Sequence, residues 1–204
     1  MLKSVLIFSI FIGVACNVHA QSGFASITDT EFQIDTIGYI GFKSYFEYPS
    51  EQVLRAFWSY TKSFAHTENR KSYYVITIPP RDSANVAITL IGQALRGGST
   101  SEFVLGMDKS PFKKDPASYR KQLKVMLLEF KVDMYLAAYQ DRINELSKEA
   151  KKLSKKHQKA LKKGQIYEEE NANRLSKLQG LEQQISVLRN NQLNLLSLLQ
   201  KAKG

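Results

Sequence analysis

The sequence is short of the residues that do thiol and metal chemistry. Its 204 residues include one cysteine, Cys16, and three histidines, His19, His66 and His157. One cysteine excludes an intramolecular disulfide and any Cys-based metal cluster. No proline follows Pro116, and from Ala117 no glycine occurs before Gly164, so a long helix can run between them. No apolar run reaches the ~20 residues of a membrane-spanning helix. There is no paired-carboxylate motif, nucleophile elbow, phosphate-binding glycine loop or metal-ligand spacing. These absences turn the reading from an enzyme toward a scaffold or interaction protein, and they call for no cofactor.

Positive charge is present, and it is confined to one half. Residues 117–204 carry 18 Lys/Arg against 9 Asp/Glu, whereas residues 21–116 carry 10 of each. Lys3 supplies the last unit of the net +10.

The first 20 residues read as a secretory signal. Lys3 precedes the apolar run Val5 to Ala15, and Val18-His19-Ala20 offers small residues for a cut before Gln21. Gly13-Val14-Ala15-Cys16 loosely resembles a lipobox, so the alternative is a lipoprotein anchored through Cys16. Either way the expectation is an exported protein, periplasmic or secreted.

The predicted fold class is α+β, a small antiparallel-sheet head in β-α-β-β-β-α order followed by a long coiled-coil hairpin. Head residues span 21–116 and the helices 117–204. Residues 21–37 are a flexible arm or a first edge strand. Tyr39–Tyr48 is aromatic-rich and strand-like. Ser50 is placed as the N-cap of a helix bearing Val53, Leu54, Phe57, Trp58, Tyr60 and Phe64 on one face. Tyr73–Ile78 is a strand ended by Pro79 and Pro80. Asn85–Leu95 and Thr100–Met107 form a hairpin about Gly97-Gly98, pairing Leu95 with Thr100 and Ile91 with Val104. His66 is read as a helix C-terminal histidine favoured by the dipole. Arg81-Asp82 is a turn, and Arg96 to Thr100 a hairpin tip rather than an anion cradle.

In the basic half, Leu123, Leu127, Phe130 and Met134 make one apolar line and Val125, Leu128, Val132, Tyr135 and Tyr139 another. Two apolar faces need two partners, the sheet and a second helix. Ile143, Leu146, Ala150 and Leu153 continue as a coiled-coil seam. Lysines gather before Gly164 and Glu168-Glu169-Glu170 follow it, matching a helix C-terminus and the next N-terminus. The chain is therefore expected to reverse at Gly164, with a second helix from about Gln165 to Lys201; one continuous rod is the alternative, since a single glycine can sit inside a helix for about 1 kcal/mol. Facing residues should sum to about 328, pairing Leu153 with Leu175, Ala150 with Leu178, Ile143 with Ile185 and Val132 with Leu196, and bringing Glu170 near Lys159. Leu195, Leu196 and Leu199 exceed what one seam buries and should return to the head.

The interaction surface is assigned to the exposed lysines Lys148, Lys151, Lys152, Lys155, Lys156 and Lys159 and to the seam residues Leu175, Leu178, Ile185 and Leu188. The expected partner is a protein, or a second copy joined through the coiled coil. An anionic envelope lipid or acidic polysaccharide is the alternative, with the lysines docking on it. A hydrolase with an unrecognised site in the head is a further alternative. Nucleic acid is disfavoured, because the lysine run lacks the interleaved aromatics and base-reading side chains of such surfaces. The sequence names no small-molecule ligand.

Overall fold

The computed structural model describes residues 26–80, 87–108, 116–162, 164 and 168–204. Residues 1–25, with the stretch read as a signal, and Arg81-Asp82, Pro111 and Asp115 lie outside them. Strands β1 (Ile27–Ile34), β2 (Ile37–Phe46), β3 (His66–Asn69), β4 (Tyr74–Ile78), β5 (Ile88–Gly97) and β6 (Thr100–Asp108) form one sheet in the order β1-β2-β6-β5-β4-β3. Every neighbouring pair is antiparallel. Helix α1 (Ser50–Thr61) joins β2 to β3, and α2 (Pro116–Lys162) and α3 (Glu168–Lys203) follow the sheet. The fold is α+β, a sheet head followed by a helical hairpin.

Residues 21–37 supply the edge strand β1 from Ile27, which pairs along its length with β2. Strand β3 is an addition to the predicted order. Its sequence HTEN has no apolar alternation, and its pairing with β4 alone puts it in the sheet. His66 therefore opens a strand rather than closing a helix. It is exposed and lies 3.7 Å from the Glu68 carboxylate.

Ser50 is the first residue of α1, not its cap. Pro49 holds the N-cap position, its carbonyl accepting from the amides of Gln52 and Val53, and no side chain caps the helix. Proline's extended backbone makes that entry without a hydroxyl. The helix ends at Thr61, so Phe64 falls beyond it, and Trp58 and Phe64 are exposed while Val53 and Phe57 are buried.

The β5–β6 hairpin turns one residue later than predicted. Gly97 pairs with Thr100, Leu95 with Glu102 and Ile91 with Gly106. The turn residues are Gly98-Ser99, and Gly98 takes φ 68°, which a glycine adopts without a Cβ clash. The shift is two in pair sum, so every side chain keeps its face.

One face of the sheet carries the core. Phe46, Phe103 and Leu105 from the sheet, Phe57 from α1, and Leu127 and Phe130 from α2 are all fully buried. The rings of Phe57, Phe103 and Phe130 lie 4.7–5.3 Å apart, centroid to centroid. Each such side chain contributes about 1.5–3 kcal/mol through burial. Both predicted lines of α2 are used, with Leu128, Val132 and Tyr135 buried beside Leu123, Leu127 and Met134. Leu195 is buried in this core and Leu199 packs against it, so the end of α3 returns to the head, whereas Leu196 is 43% exposed.

On the other face, β6 has no side chain at Gly106. The Phe32 ring occupies the space, and a Cβ there would lie 2.5 Å from it. Phe32 also stacks on Tyr39 at 5.6 Å. Of the β2 aromatics, Tyr45 remains 51% exposed.

Candidate functional site

The hairpin closes at Gly164, which has φ 62° and donates its amide to the Leu161 carbonyl at 3.1 Å. The second helix is described from Glu168, and its predicted start at about Gln165 lies outside the described residues. Cross-hairpin contacts fix the register. Lys177 pairs with Glu149 at 3.2 Å, Gln192 donates to Gln140 at 3.3 Å, and Lys203 pairs with Glu129 at 2.6 Å. These pairs sum to 326, 332 and 332, bracketing the expected 328. Glu170 is engaged by Arg174 on its own helix at 2.9 Å.

The last α2 residue in the head core is Tyr135, with Leu136 and Tyr139 packed against it. From Gln140 to Lys162 the helix continues for about 33 Å at its usual rise. Ile143 and Leu146 are buried in the seam, and Leu181 is buried on α3. Toward the tip burial falls away. Leu161 is 52% and Leu175 44% exposed. Leu178, Ile185 and Leu188 are half-buried, as a seam requires.

Lys148, Lys151, Lys152, Lys155, Lys156, Lys159 and Lys162 are all exposed on α2. Helical spacing spreads them around the outer surface of one segment of about four turns. Glu149 is the acid in that stretch, and it is held by Lys177. The arm therefore presents a concentrated positive field with apolar leucines at its tip. His157 sits among these lysines, half-buried, with a buried Nδ1 that finds no hydrogen-bond partner among the described residues.

The head holds a polar arrangement that the reading by composition missed. Lys131 is 1% exposed, and its Nζ donates to Ser44 Oγ at 2.9 Å. Ser44 Oγ in turn donates to the Ser26 carbonyl at 3.2 Å. The ammonium lies 5.3 Å from the Phe46 ring centroid. Burial pulls the Lys131 pKa down to about 8, and the Glu47 charge opposes that shift. A lysine beside a serine hydroxyl has the parts of a nucleophile and its base. Here both residues are closed off, Ser44 at 2% exposure, so the pair ties α2 to the sheet. The signal was legible in position rather than type, because Lys131 falls three residues after Leu128 and four before Tyr135, on an apolar line.

A second tie joins all three helices. Tyr60 of α1 donates to Glu129 of α2 at 3.1 Å, and Lys203 of α3 reaches the other oxygen of that carboxylate. Burial, then the Glu129 carboxylate, push the Tyr60 phenol well above its usual range. The Tyr135 hydroxyl accepts from the Glu47 amide at 3.1 Å, and burial raises that phenol too.

Among the described residues no group of three His, Cys, Asp or Glu could hold a metal ion. No helix among them is long and apolar enough to cross a membrane. The chain matches no protein-family model, no curated protein and no solved structure with which it was compared.

Proposed function

We propose that this is an exported, non-enzymatic interaction protein in which the sheet head supports a basic helical arm. The observation that carries the reading is the arm itself. It runs about 33 Å past the head core, gains burial only along its seam, and ends in exposed Leu161 and Leu175. Exposed leucines on a lysine-rich tip suit a protein partner with an apolar groove and an acidic rim. Photo-crosslinking side chains at Leu161 and Leu175 in expressing cells should give adducts that the exposed head positions Glu51 and Arg55 do not. Equal labelling at the head, or none at the tip, counts against it. Export rests on the signal-like leader, and mass analysis of the exported chain should show a start at Gln21. A lipid-modified start at Cys16 would place the same arm on a membrane surface.

The lysines favour a second reading, docking on anionic lipid or acidic polysaccharide. Seven exposed lysines face one paired acid over Lys148 to Lys162. Changing Lys151, Lys152, Lys155 and Lys156 to Gln should then abolish low-salt retention on anionic vesicles. Wild-type retention should itself fade as the Debye length shrinks to about 8 Å at physiological salt. Vesicle binding indifferent to the four changes removes this reading and leaves the protein-partner one intact.

A further inference from the structure

At the base of the hairpin, α2 and α3 flank a shallow groove of about 690 Å³. Leu136, Ala137, Leu193 and Leu196 form its apolar floor and walls, with Asp133 and Arg189 also lining it. Leu193 is 64% exposed, the highest value among the exposed large apolar side chains, and Leu196 is 43% exposed. An exposed leucine ridge beside a hollow over Ala137 is a knob next to a hole.

The charges of the groove have a direction. Gln140 and Gln192 are hydrogen-bonded and so lie level. Arg189 sits about one turn from that level on the arm side, and Asp133 about two turns on the head side. The two are thus about 15 Å apart along the helices. Neither makes an ion pair with another described residue. A surface with opposite charges at its two ends is complementary to itself when one copy is reversed. A two-fold axis crossing the helices brings Asp133 toward the partner's Arg189, and the same pair recurs by symmetry. It also sets Leu193 against the partner's apolar floor. A parallel arrangement would bring like ends together and leave both charges unanswered.

We infer that this groove is the interface of an antiparallel homodimer, a four-helix contact made by the bases of two hairpins. The lysines of the arm do not line it, so the inference goes beyond the arm reading and stands or falls separately.

Sedimentation equilibrium of the purified protein tests it. The account expects a dimer at protein concentrations on the order of 100 µM or below. Leu193→Gln should weaken it at least about tenfold, while the melting temperature at concentrations where the protein is monomeric stays unchanged because Leu193 is exposed in the single chain. Asp133→Arg and Arg189→Asp should each weaken it by about tenfold, and the two together should restore it. A monomer throughout that range overturns the interface, as does a dimer indifferent to Leu193→Gln. A dimer sensitive to Leu193→Gln but blind to both charge reversals overturns the antiparallel arrangement.

Discussion

Lys131 stands at a position where an apolar side chain would serve the core better. Its ammonium is buried against Phe46 and held by Ser44. A buried charge is retained at a cost that its hydrogen bonds only partly offset. The sign of the pH dependence follows. With a folded pKa near 8, below the unfolded value near 10.5, the unfolded chain keeps its proton where the folded chain releases it. Stability from this group therefore rises with pH between about 8 and 10.5, by about 3 kcal/mol at most. Below pH 8 both states are protonated and the full penalty is present. Lys131→Met should consequently be more stable than wild type at pH 7, and the gap should narrow toward pH 10 in urea unfolding. A gap that stays constant across the window, or a variant destabilised at pH 7, contradicts this account of Lys131. Leu195 and Leu196 show the same dependence on place rather than type. They are neighbours in a leucine-rich end, yet one is buried in the head core and the other lines the groove.

Elements with a strong local signal were legible in the sequence. Aromatic and β-branched runs gave β2, β4 and the β5–β6 hairpin, because those side chains suit a pleated, half-buried surface. The two apolar lines of α2 gave both of its packing partners. What escaped lacks such a signal. Strand β3 is polar and exists through its ladder to β4. The turn at Gly98-Ser99 was misplaced by one residue because adjacent glycines offer two sites for a positive φ. The start of α1 depends on the fixed backbone of Pro49 rather than on a capping hydroxyl. The site was legible in part. Charge segregation marked the lysine arm, but the groove at its base arises only when α2 and α3 come together. The hairpin's reversal follows from charges ordered about Gly164, and it has a sharp test. Spin labels replacing Glu149 and Lys177 should lie at about the 8–10 Å interaxial spacing plus linker length. A continuous rod would set them 28 residues apart, at about 42 Å.

On the scale of the whole molecule, the head and the outer hairpin bury different sets of residues. The head buries the core and receives the end of α3 through Leu195 and the Glu129–Lys203 pair. Among the described residues, Tyr139 is the last α2 side chain packed against the head core, and beyond it the hairpin buries residues along its own seam. If the arm serves interaction as proposed, it can be lost without loss of the fold. Thermal unfolding of a chain in which a short Gly/Ser turn replaces residues 147–180 measures this most directly. The account predicts a cooperative transition for the shortened chain within about 5 °C of wild type, since the core leucines and the aromatic cluster are untouched. A shortened chain that is unfolded at 25 °C, or that melts more than about 15 °C lower, would show that the arm holds the head together and contradict its assignment as an interaction surface.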